Sequence, residues 1–144
     1  MFGKILYATD FSDTAKKAFR YVKGLRGAGA GDVVILHIVD KRGIDSMAVL
    51  TTIDVLGVEK GWMEDAAREM SCLENELKSE GFSVKTLIER GIPFKEIIRV
   101  ASEENVSVIV VGSHGRTDIP EMLLGSVAEK VVRKAAKNVL VIKR

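Results

Sequence analysis

Four small residues, Gly112, Gly115, Gly125 and Ser126, form a pattern able to hold an anion within the stretch VGSHGRTDIPEMLLGSV. A glycine carries no Cβ, so main-chain N–H groups beside it can come close to a phosphate oxygen. Gly112 and Gly115 follow the apolar run Val106 to Val111, and Gly125-Ser126 precede a segment of helical period. The spacing therefore predicts a strand, a loop and a helix whose positive dipole end faces the glycines. Ser126 and Glu129 have the spacing of a capping box, which sets the expected helix start. Arg116 adds a cation that could pair with a phosphate. The stretch is not a P-loop, since no Gly-Lys-Ser or Gly-Lys-Thr follows, and it lacks the GxGxxG of a dinucleotide fingerprint. Glycines also serve plain turns, so spacing alone leaves a ligand loop and a simple turn both open.

Other residues able to do chemistry are few. His114 lies between the motif glycines and reads as a loop or phosphate neighbour, with no orienting acid beside it in sequence. His37 falls inside an apolar strand and reads as a satisfied core histidine. Cys72 is the single cysteine, so no intrachain disulfide can form, and with two histidines it supplies no four-ligand zinc site.

The elements that must position the glycines follow from hydrophobic period. Short apolar runs alternate with helical segments, the pattern of repeated βα units around a parallel sheet. Strands are expected at Lys4 to Thr9, Val33 to Val39, Ser83 to Glu89, Val106 to Val111 and Val139 to Lys143. The first helix carries Ala15, Ala18, Phe19, Val22 and Leu25 on one face behind an N-cap at Ser12. A longer one, Val58 to Glu80, carries Val58, Trp62, Ala66, Met70, Leu73 and Leu77 as a core stripe and stops at Gly81. Pro93 opens a third and Ser126 to Ala136 forms the last. Right-handed crossovers leave one favoured arrangement: an α/β, doubly wound single domain with a five-stranded parallel sheet in the order 3-2-1-4-5 and helices on both faces. Its switch point lies between strands one and four, where Asp10 and Gly112 end their strands. Topology thus favours the ligand loop over the plain turn. The segment Asp40 to Gly57 exceeds an ordinary βα connection and reads as a flap, an extra helical turn on the core or a dimer contact.

Composition removes several function classes. The 22 basic and 20 acidic side chains nearly cancel, so no basic footprint for nucleic acid exists. No apolar run nears the roughly 20 residues that span a bilayer, and the N-terminal MFGKILYATD lacks a signal-peptide core. A cytoplasmic protein without membrane or nucleic-acid partners is expected. The last strand, Val139-Leu140-Val141-Ile142, would be an apolar sheet edge, and pairing with its copy in a homodimer is the simple way to cover it.

GSHGR followed by LLGSVAEKVV resembles the nucleotide-binding motif of universal stress proteins, Gly-x-x-Gly, nine residues, then Gly-Ser. Gly112, Gly115, Gly125 and Ser126 match it, and KILYATDFS, VILHIVD, GIPFKEII and NVLVIKR extend the resemblance over the whole chain, 1–144. In the ATP-binding branch, the resemblance implies, Ala8 and Asp10 line the adenosine side, Ile38 meets the adenine edge and Val111 flanks it. It likewise implies that His114, Gly115, Arg116, Gly125, Ser126 and Val127 surround the phosphates. Asp10 has a second reading as a cap for the first helix. The linker acids Asp118 and Glu121 could weaken triphosphate binding or help hold a divalent ion.

The expected function is a homodimeric, nucleotide-dependent switch in a stress response, binding ATP with Mg²⁺ or Mn²⁺ and acting on an unidentified protein partner. Two alternatives remain open: a slow ATPase, for which only His114, Asp118 and Glu121 could serve, and a dimeric interaction module that uses no nucleotide. A phosphoacceptor receiver of the same topology is excluded. It needs an acidic pair after strand one and an aspartate ending strand three, where this chain has Thr9-Asp10 and Glu89-Arg90.

Overall fold

The computed structural model describes residues 1–50, 55–116, 120 and 123–144. Their elements run β1 (Lys4–Ala8), α1 (Asp13–Gly24) with a 3-10 turn (Leu25–Ala28), β2 (Asp32–Asp40), α2 (Lys41–Leu50) and α3 (Val55–Ser79). They continue as β3 (Ser83–Gly91), α4 (Pro93–Glu103), β4 (Val108–Gly112), α5 (Ser126–Lys134) and β5 (Asn138–Ile142). All pairs are parallel and the sheet order is β3-β2-β1-β4-β5, as the element pattern predicts. Tyr7 pairs with Ile35 on one side and with Val110 on the other, which makes β1 the centre of the sheet.

Side chains alternate across that sheet and build two cores. Ile5, Tyr7, Ile35, Val108 and Val110 face α1 and α3, where Ala18, Phe19, Val22, Met70 and Leu77 cover them. Leu6, Leu36, Ile109 and Val111 face α4 and α5, where Ile97, Val100, Ala101, Ala128 and Val131 do so. Tyr7 keeps its hydroxyl satisfied by donating to the Ala15 carbonyl at 2.7 Å, and burial pushes its pKa up to about 12. No helix among the described residues is long and apolar enough to cross a membrane.

Three details differ from the sequence expectation. The segment after β2 includes a full helix, α2, anchored by the buried Ile44, so its start packs as added structure; residues 51–54 lie outside those described. Trp62 is 40% exposed although Ala66, Met70 and Leu77 on its stripe are buried, and it lines an open crevice. The last helix takes Gly125 as its cap, with no side-chain hydrogen bond there, so the capping box expected of Ser126 and Glu129 does not form. Ser126 is instead the first helical residue, and its hydroxyl is not spent on the cap.

Candidate functional site

A crevice of about 670 Å³ opens at the carboxyl ends of β1, β2 and β4, within the roughly 300–1,000 Å³ common for small-molecule sites. All eleven residues singled out from sequence line it: Ala8, Asp10, Ile38, Val111, Gly112, His114, Gly115, Arg116, Gly125, Ser126 and Val127. They come from three strand ends and one helix start, which only the switch-point topology brings together. Ala8, Ile38, Val111 and Val127 all border the α4/α5 core, so they form one apolar wall on one side of the sheet.

The glycines are required by close approach. A Cβ on Gly112 would lie 2.9 Å from Thr14 Cγ2, and one on Gly125 would lie 3.0 Å from the Ser113 carbonyl oxygen. One on Gly115 would lie 2.8 Å from Asp10 Oδ2. None of the three has the positive φ that would make glycine a conformational need. The loop from β4 therefore runs against α1, α5 and the β1 loop at main-chain distance, which leaves its face toward the crevice free of side-chain bulk.

Ser113 fixes that loop from behind. Its N–H donates to Ile142 O at 2.8 Å, its carbonyl accepts from Gly125 N at 2.7 Å, and its hydroxyl accepts from Arg144 N at 3.1 Å. The Ser113 hydroxyl also lies 2.7 Å from His114 Nδ1, while His114 Nε2 faces Pro120 O at 3.5 Å. A carbonyl can only accept, so Nε2 carries the proton and Nδ1 accepts from Ser113. With the residue 5% exposed and both ring nitrogens engaged, His114 offers main chain to the crevice.

The β1–α1 loop supplies the opposing lip. Asp10 Oδ1 accepts from Ser12 N at 3.0 Å, Ser12 in turn caps Ala15 N at 3.2 Å, and Arg116 Nε donates to Asp10 O at 2.8 Å. The cap of α1 is Ser12 and not Asp10, which instead braces that cap with one oxygen while the other stands beside Gly115. Phe11 adopts a left-handed φ of 62°, which costs a non-glycine residue about 1–3 kcal/mol. Its N–H donates to Thr9 Oγ1 at 3.0 Å.

Sequence reading did not place three ring-bearing residues of the lining, His37, Phe11 and Trp62, at the crevice. His37 is half-buried in the crevice wall, its Nδ1 2.8 Å from Thr9 O and its ring 4.6 Å from that of Phe11. Burial lowers its pKa, the Thr9 bond opposes this, and the Arg116 charge adds to the lowering. Counting parity from Ile35 would have put His37 on the α1/α3 side, near the strand end. Trp62 and Phe11 also line the crevice; the helical period assigned Trp62 to the core, and nothing in sequence marked Phe11. At the end of β2, Asp40 takes a forked pair of bonds from Arg42 at 3.0 and 2.8 Å, which holds its carboxyl below the usual range. Among the described residues no three His, Cys, Asp or Glu side chains gather as a metal site; Asp118 and Glu121 lie outside those residues.

The model of the universal stress protein family matches residues 1–143. The chain is 40% identical to the universal stress protein MJ0577 of Methanocaldococcus jannaschii, over 100% of this chain and 96% of that protein. A solved structure of MJ0577 superposes with a TM-score of 0.89 at 42% identity, covering 100% of this chain and 97% of the other. Universal stress protein YxiE of Bacillus subtilis is 32% identical over 99% of this chain and 100% of its own length. A universal stress protein of Archaeoglobus fulgidus, solved in complex with dAMP, shares the fold at 24% identity and a TM-score of 0.67, covering 99% and 98% of the two chains. Matched from end to end by family model, relatives and architecture alike, this chain belongs to the universal stress protein family.

Proposed function

We propose that the chain, as one nucleotide-binding domain spanning 1–144, binds ATP in the switch-point crevice and acts as a nucleotide-dependent switch. The observation that carries this reading is the glycine loop: three approaches too close for a Cβ leave main chain without side-chain bulk beside the start of α5. The polyphosphate lies on Gly112, Gly115, Gly125, Ser126 and Val127 with the main chain of His114, and Arg116 neutralises charge at the rim. The adenosine lies against Ala8, Ile38 and Val111, with the free Asp10 oxygen available to a ribose hydroxyl. Mg²⁺ or Mn²⁺ accompanies the phosphates through their own oxygens. Support of a general kind comes from the fold, on which the Archaeoglobus fulgidus relative holds dAMP.

Titrating purified protein with ATP and Mg²⁺ in a calorimeter is expected to give one site per chain. ATP at a hundredfold its Kd should then stabilise the fold by about 2.7 kcal/mol, read as a rise in Tm. No heat and no thermal protection at saturating ATP would end the proposal.

The switch works as a cytoplasmic homodimer joined through β5, whose surface for a protein partner changes with occupancy. Among the described residues β5 pairs with β4 alone, and Val139, Leu140 and Val141 are half-buried at this edge. Sedimentation equilibrium at micromolar concentration is expected to give twice the chain mass, and a monomer would contradict the assembly.

A further inference from the structure

We propose that His37 is a positioning residue for Asp10, holding both of its neighbours so that the free carboxylate oxygen faces the crevice. The inference rests on the nucleotide reading and extends it to ribose recognition.

Asp10 does not point into the crevice by its own geometry alone. Its Oδ1 is taken by Ser12 N, and its Oδ2 stands 2.8 Å from where a Cβ on Gly115 would lie. Where that oxygen stands depends on the main chain from Thr9 to Phe11. Thr9 is held twice from β2: its N–H donates to Leu36 O at 2.9 Å, and its carbonyl accepts from His37 Nδ1 at 2.8 Å. Phe11 is held by the Thr9 hydroxyl and by its ring contact with His37, centroids 4.6 Å apart and planes tilted by 31°.

His37 therefore touches the residues on both sides of Asp10, by a hydrogen bond before it and a ring contact after it. The left-handed φ of Phe11 makes this grip matter. A strained residue persists only where its surroundings hold it, and a loop released from His37 would relax Phe11 toward negative φ. That rotation turns the plane joining Asp10 to Phe11 and carries the carboxylate away from Gly115. Arg116 holds the Asp10 carbonyl from the β4 side and does not fix the side chain's direction. Since a carbonyl can only accept, His37 donates from Nδ1, and the neutral ring with its proton there is the working form.

The test compares three ligands, ATP, 2′,3′-dideoxy-ATP and tripolyphosphate, on wild-type protein, His37→Ala and His37→Asn. Asparagine places an amide donor where Nδ1 stands and removes the ring. Wild type is expected to prefer ATP over the dideoxy analogue by about tenfold, as befits a hydrogen bond to a carboxylate. In His37→Ala that preference is expected to fall to within twofold, while the tripolyphosphate Kd stays within twofold of wild type. His37→Asn should recover part of the preference.

A His37→Ala or His37→Asn protein that keeps the full tenfold ratio overturns the proposal, as does a wild type that binds ATP without preferring the ribose hydroxyls. Equal weakening of all three ligands assigns His37 a general structural role and overturns it too. A wild type that binds none of the three sinks the nucleotide reading itself, and this inference with it. If His37→Ala does not fold, His37→Asn decides between the same outcomes, since it retains the donor to Thr9.

Discussion

Gly115→Val is expected to weaken ATP binding at least about 100-fold while moving the unfolding free energy by only about 1 kcal/mol. The first added carbon falls 2.8 Å from Asp10 Oδ2, the outer end of a side chain, so Asp10 swings aside and the main chain stays in place. The stability cost is of the order of the one bond at risk, that from Ser12 N to Asp10. Binding loses far more. The branched side chain stands where a phosphate must approach the amides, and the displaced carboxylate no longer faces the crevice. Two charge-assisted hydrogen bonds lost at about 1.5–3 kcal/mol each already exceed a hundredfold. Calorimetric titration with ATP, run beside thermal unfolding without ligand, reads both quantities. A Kd within a few-fold of wild type would show that no anion approaches this glycine.

Gly125→Ala is expected to fail in the opposite proportion, with stability falling by about 1–3 kcal/mol together with binding. The new methyl lies 3.0 Å from the Ser113 carbonyl oxygen, 3.4 Å from His114 Cα and 3.7 Å from Gly115 N. Every one of these is main chain, so no side chain can turn away to make room. Relief requires α5 to back off the loop, which stretches the 2.7 Å bond from Gly125 N to Ser113 O and withdraws the helix start from the glycines. Urea unfolding monitored by circular dichroism should show a lower midpoint at unchanged slope, and the same sample should bind ATP poorly. An unshifted midpoint would mean that the close packing of α5 on the loop is not maintained in solution.

These two glycines also mark what was legible in the sequence. The motif spacing made them ligand candidates, right-handed crossovers put Asp10 and Gly112 at one switch point, and the family resemblance named the other residues of the eleven that line this opening. Sheet order followed from the alternation of strands and helices with right-handed crossovers, and the apolar run of β4 and the alternating polar residues of β3 agree with a central and an edge place. What did not follow is anything set by tertiary position. Trp62 continues a faultless helical stripe but lines an open crevice, and no sequence period reports where a neighbouring cavity opens. Phe11 takes a left-handed conformation that side-chain type disfavours, and its stabilising partners come from two other segments. The capping-box reading of Ser126 erred by one residue because Gly125, lacking a side chain, serves as the cap through backbone geometry alone.

Ser113 joins three parts of the molecule in a single peptide: the final strand through Ile142 O and Arg144 N, the head of α5 through Gly125 N, and the glycine loop through its own chain. With contacts of 2.7 to 3.1 Å there is almost no slack between them. Any tug on the loop is thus shared at once with the outermost border of the sheet, as a taut knot passes strain to every cord tied into it.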